Sequence, residues 1–161
     1  MRLKIKIALQ QKGNFNETAD GMDIALCKID LTNRIILYSG AYSSLIKVSF
    51  SAENLVNRTI VSYSGIKTPI GIYLNEKEFF NTAIPFQPND VFYMFSDGYM
   101  DQFGGTNGRK FLKKNFKDLL YTISPSSMEK QKELLETTFA AWLTGKYEQI
   151  DDILVVGLRL K

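Results

Sequence analysis

Apolar positions along this chain follow two different periods, and the change from one to the other divides the sequence. The first ten residues, after Met1, read both ways: Arg2 to Ile7 alternate strictly, as a strand would. Leu3, Ile7 and Ala8, among good helix formers, also fit the last turns of a helix. Residues 12–20 are polar, with Gly13 and two asparagines, and predict a loop. Gly21 to Leu31 then reads as a strand, Thr32-Asn33 as a tight turn, and Arg34 to Ser39 as the returning strand of a hairpin. Ser44 to Phe50, 58–64 and 78–84 predict three more strands, with Thr68-Pro69-Ile70-Gly71 as a turn-forming segment between the last two. After the turn Gln87-Pro88-Asn89-Asp90, Val91–Phe95 is almost continuously apolar, which predicts burial on both faces.

Past residue 108 the period lengthens. Arg109 to Ile123 carries Phe111, Leu112, Phe116, Leu119 and Leu120 at helical spacing. Ser124-Pro125-Ser126-Ser127 stops that helix and caps the next, Glu129 to Leu143, which Gly145 ends. Ile153 to Leu160 predicts a last strand. The pattern is many antiparallel strands, two helices and one strand returning to the sheet: an α+β domain with helices layered on a sheet or sandwich.

Composition narrows what such a domain could do. With 161 residues, 45% hydrophobic and 23% charged, the chain fits one globular domain with a core of its own. The net charge of +3 is spread among 17 acidic residues, so no basic stripe points to nucleic acid. The densest basic run, residues 109–117, reads as the solvated face of an amphipathic helix. The single cysteine, Cys27, cannot close an internal disulfide and is expected to be buried and structural. The chain has no histidine, which excludes Ser-His-Asp and Cys-His catalysis and any His-ligated zinc site. No apolar stretch reaches transmembrane length and no signal peptide is visible, so the expected setting is the cytoplasm without direct membrane contact.

What remains chemical is acidic. Asp97 follows a buried strand and precedes Gly98, where the backbone can turn sharply; Asp151 and Asp152 open the final apolar run. If the final strand lies antiparallel beside Val91–Phe95, Asp97 and Asp151 reach the same sheet edge. Hard cations such as Mg²⁺ and Mn²⁺ take such carboxylate pairs, with water in the remaining positions. The same residues also suit simpler roles, since Asp-Gly is a common turn and Asp before a strand commonly caps a loop. Asp101 could reach the same neighbourhood, though a turn or capping role suits it better. Gly104-Gly105…Gly108 lacks the lysine and spacing of a phosphate-binding loop and reads as a flexible loop.

Four segments together resemble one family. They are Asp20-Gly21-Met22-Asp23-Ile24-Ala25-Leu26-Cys27, Pro69-Ile70-Gly71, Phe95-Ser96-Asp97-Gly98-Tyr99-Met100-Asp101-Gln102-Phe103-Gly104-Gly105, and Asp151-Asp152-Ile153-Leu154-Val155-Val156-Gly157. Their order and spacing resemble the C-terminal part of a PPM-type serine/threonine phosphatase, of the bacterial branch named for stage II sporulation protein E. The resemblance implies a two-sheet antiparallel β-sandwich flanked by helix pairs. It implies signalling by a Mg²⁺- or Mn²⁺-dependent enzyme in which metal-activated water attacks phosphoserine or phosphothreonine directly. By position, Asp97 and Asp151 match metal ligands of the family, and Asp152 matches the neighbouring, non-ligand position.

One family element is missing. Members carry an earlier Asp-x-x-Gly-His-Gly segment whose aspartate bridges two ions, and a chain without histidine cannot contain it as written. The sequence therefore looks like a sandwich truncated at its N-terminus, with a C-terminal helix pair. Of the two ions in a complete site, at most one would bind here, weakly, through Asp97 and Asp151. The expectation is a phosphatase domain inactive as an isolated chain; the alternative is a remnant that docks a regulatory protein without hydrolysis. An unrelated carboxylate-metal hydrolase would need the four motifs to coincide by chance. Partners implied are a phosphoprotein substrate or regulatory protein, with self-association covering apolar surface left by the missing part.

Overall fold

The computed structural model describes residues 1–11, 21–51 and 57–160. The loop expected over 12–20 lies outside them, as does Asp20 of the first family segment. The chain divides into two compact units, Met1–Leu45 with Ser62–Phe86, and Ile46–Val61 with Gln87–Lys161.

The first unit begins with helix α1 (Arg2–Ala8), which decides the ambiguous opening segment. Arg2 and Lys6 both pair with the Glu76 carboxylate. Residues four apart lie within about 6 Å on a helix but about 13 Å apart on a strand, so the helix brings both cations readily to one acid. The short strands β1 (Gly21–Met22) and β6 (Ile70–Gly71) pair antiparallel, so the segment read as a turn at 68–71 is partly strand. The expected hairpin forms from β2 (Ile24–Asp30) and β3 (Ile35–Ala41). Its turn is fastened by Asp30, whose carboxylate accepts from the Asn33 backbone N–H at 2.9 Å and from its side-chain amide at 2.8 Å. Those bonds hold the Asp30 carboxyl below its ordinary pKa. β7 (Thr82–Pro85) closes a sheet in the order β2-β3-β7; it is shorter than the strand expected over 78–84. The central strand buries Ile36 and Tyr38 on one face. Cys27 on β2 is only half-buried, less than its neighbourhood suggested, and burial still pushes its thiol pKa up.

The second unit is built on the greater part of a sheet in the order β11-β8-β4-β5. Its strands are β4 (Ser44–Phe50), β5 (Arg58–Ser64), β8 (Val91–Phe95) and β11 (Val155–Arg159). β8 is interior and buries Val91, Phe92, Tyr93 and Phe95, as its continuous apolarity requires. Helices α3 (Lys113–Ile123) and α4 (Met128–Leu143) pack onto this core, which also takes in Tyr99 and Phe111. α3 presents Phe116, Leu120 and Ile123, spaced at four and three residues, and all three are buried. Phe116 lies 5.0 Å from both Phe95 and Tyr99, centroid to centroid. Ser127 caps α4 by accepting from the Lys130 backbone N–H. The buried Gln131 accepts from the Tyr93 hydroxyl at 2.7 Å and donates to the carbonyls of Ser124 and Ser126. At the start of β8 the buried Asp90 pairs with Lys47 at 2.8 Å.

The helix expected from Arg109 begins instead at Lys113. Arg109–Lys110 is a strand (β10) that pairs back onto Phe103–Gly104 (β9). Phe111 explains the delay: its ring packs edge-on against Trp142 and its N–H donates to the Gln102 carbonyl, which fixes the chain in a hairpin. The basic run 109–117 is thereby split between hairpin and helix. The glycine-rich segment is correspondingly a tight hairpin against Trp142, and a side chain at Gly104 would collide with the Trp142 carbonyl. Among the described residues no helix is long and apolar enough to cross a membrane.

Candidate metal centre

The two acidic stations reach one place because β11 lies antiparallel to β8, with Val155 opposite Phe95. Pairing continues past the strand ends, where Ser96 N–H donates to the Leu154 carbonyl at 2.9 Å. The Ser96 hydroxyl then makes a double link: it donates to the Asp152 carbonyl and accepts from the Leu154 N–H, both at 2.9 Å. This register sets Asp97 and the Asp151-Asp152 pair at the same end of the two strands.

A short helix, α2 (Gly98–Asp101), starts immediately after Asp97. Gly98 is required there, because a Cβ would lie 2.5 Å from the Asp152 carbonyl oxygen. Asp97 is exposed and its carboxylate does not cap α2. One oxygen of the exposed Asp151 carboxylate accepts from the Asp152 N–H at 2.7 Å, and the Gln149 amide donates to the Asp151 carbonyl at 2.7 Å. Asp101, expected in a turn or cap, instead ends α2 and forms an ion pair with Lys110 at 3.2 Å.

Two further side chains hold this end together. Tyr99 is buried under α4 and donates to the Leu135 carbonyl at 2.9 Å; burial pushes its phenol pKa up. Gln102 is fully buried, with its amide donating to Glu148 and accepting from Ile150. Gln102 has no role of its own in the sequence pattern; the one signal available for it was its place inside the family segment from Phe95 to Gly105.

The donor set suits a hard divalent cation: two exposed carboxylates at one strand end, with no softer ligand beside them. Among the described residues no group of three or more acidic, histidine or cysteine side chains is gathered. Asp97 and Asp151 do not by themselves form a dinuclear site.

The antiparallel α+β fold is that of PP2C-type phosphatase domains. Residues 14–161 match the family Stage II sporulation protein E (SpoIIE), and the chain belongs to that family. Among solved structures it is similar to the SiaA-PP2C domain of Pseudomonas aeruginosa, with 27% identity and a TM-score of 0.77. That match covers 89% of this chain and 54% of the other, so the chain spans about half the length of the domain it resembles. The fold is also that of the PP2C phosphatase domain, with a fragment of the regulatory domain, of the cell fate determinant SpoIIE from Bacillus subtilis. There the identity is 18% and the TM-score 0.64, over 99% of this chain and 48% of that one. A Mn-presoaked form of the phosphatase domain of the same B. subtilis protein matches at 16% identity and a TM-score of 0.54, over 99% and 73%. No curated protein matches the chain.

Proposed function

We propose that this chain carries the strand-end carboxylates of a metal-dependent protein serine/threonine phosphatase of bacterial signalling, with Asp97 and Asp151 as ligands to one Mg²⁺ or Mn²⁺. The observation that carries the reading is the Val155–Phe95 register, which brings two sequence-distant acids to one end of the sheet. A hard cation held there would supply charge neutralisation for a phosphoryl group and acidify water. The chain's own contribution is positional. Asp97 stands free at the start of α2, and the Ser96 hydroxyl ties its strand to the backbone just after Asp151.

The donor count among the described residues supports a further part of the proposal: on its own the chain is catalytically silent or nearly so. It also supports the second reading, a non-catalytic module that docks a regulatory protein. Calorimetric titration with MnCl₂ tests the ligands. The expected result is one Mn²⁺ per chain, with affinity lowered about tenfold or more in Asp97→Asn, since one of two carboxylates is removed. Identical titrations would overturn the ligand assignment. Mn²⁺-dependent hydrolysis of an aryl phosphate by the pure chain, abolished in Asp97→Ala, would overturn the silence.

A further inference from the structure

We infer that Gln102 is a positioning residue: its buried side-chain amide clamps the segment carrying Asp151 to the helix that follows Asp97. The inference rests on the proposed role of those two aspartates. Gln102 is 0% exposed and ends α2 as its C-terminal cap. Its amide nitrogen donates to the Glu148 carbonyl at 2.8 Å and to the Phe103 carbonyl at 2.9 Å. Its amide oxygen accepts from the Ile150 N–H at 3.2 Å. One side chain thus grips the 148–150 backbone from both polar ends, one residue before Asp151.

The other end of the clamp is fixed. The Gln102 backbone carbonyl accepts from the Trp142 indole N–H and from the Phe111 N–H, each at 3.0 Å. Gln102 therefore has little freedom to move, and the segment it holds inherits that rigidity. The contrast with its partners is informative: Glu148, Gln149, Ile150 and Asp151 are all exposed. Without the amide, their backbone groups would turn to water at little cost, and the core would persist while Asp151 drifted from Asp97. Outer groups that orient metal ligands commonly control affinity in this way.

The geometry calls for substitutions that separate position from stability. Gln102→Met keeps length and volume but removes every amide bond; Gln102→Glu keeps an acceptor for Ile150. Binding of Mn²⁺ is followed by calorimetry and by electron paramagnetic resonance, at a temperature where circular dichroism reports each variant folded. Gln102→Met is expected to lower Mn²⁺ affinity about tenfold or more, and Gln102→Glu, which keeps the Ile150 bond but sets an acceptor against the Glu148 and Phe103 carbonyls, to lower it as well. Should Gln102→Met fail to fold, Ile150→Pro removes the N–H that engages the Gln102 oxygen from an exposed position, and about the same loss is expected. Wild-type affinity in the folded Gln102→Met or in Ile150→Pro, with binding lost in Asp97→Asn, would overturn the positioning role alone. Equal titrations of wild type and Asp97→Asn would overturn the metal assignment and the inference with it.

Discussion

The two units treat their apolar residues differently. Among the described residues seventeen large hydrophobic side chains are exposed. Only Val61, Phe103, Leu112, Ile150 and Leu154 belong to the second unit, and the other twelve belong to the first. Both units have regular antiparallel sheets, so strand quality is not the difference. Helical cover is. The second unit owns α3 and α4, of 11 and 16 residues, whereas the first owns only the seven-residue α1. A sheet buries its apolar face only where another layer lies on it. The carboxylates proposed as ligands stand on the second unit, where the strand ends beneath them are held by an aromatic core.

The contrast can be broken most forcefully at Phe116. It is 0% exposed and lies among Phe95, Tyr99 and the sheet. Phe116→Ala should cost about 3–5 kcal/mol in urea unfolding, because it removes a ring from a packed cluster and leaves a cavity. A loss below about 1 kcal/mol would mean that the second unit's core is not the stabilising one. Gly98→Ala should cost less, about 1–3 kcal/mol, because the added methyl forces the Ser96–Asp152 contact to open. The same variant should bind Mn²⁺ more weakly than wild type in the calorimetric titration, since the two strand ends move apart. The smallest effect is expected at Leu26, which is 55% exposed on β2. Leu26→Ser should change stability by no more than about 0.5 kcal/mol. A loss above about 1 kcal/mol would show that this face is covered in solution, which would sharpen the contrast into a docking question.

Sequence reading recovered what periodicity encodes and lost what tertiary contacts override. The β2–β3 hairpin was legible because Thr32-Asn33 separates two apolar runs, and Asn33 does fasten its turn. Antiparallel pairing of the last strand with Val91–Phe95 was posed as a condition, and the register meets it. The start of α3 was not legible, because Phe111 and Leu112 fit a helical stripe equally well. What excludes them is Trp142, about thirty residues away, which takes Phe111 into a ring contact 5.2 Å between centroids. α1 stayed ambiguous for a related reason: the acid that decides it, Glu76, is remote in sequence. At the site, Asp97 and Asp151 were visible through the family resemblance, whereas Gln102 was not. Its significance lies entirely in backbone groups of residues 148 and 150, which leave no trace in side-chain pattern.

Trp142 is the only tryptophan in the chain, and its indole donates to the carbonyl of the residue that grips the Asp151 segment. Indole emission responds to such a bond and to the wetness around it. The protein thus contains a native optical gauge wired to the acidic strand end, free of competing fluorophores of its kind. Loosening of that bond by mutation should be readable as a shift in indole emission, with no label attached.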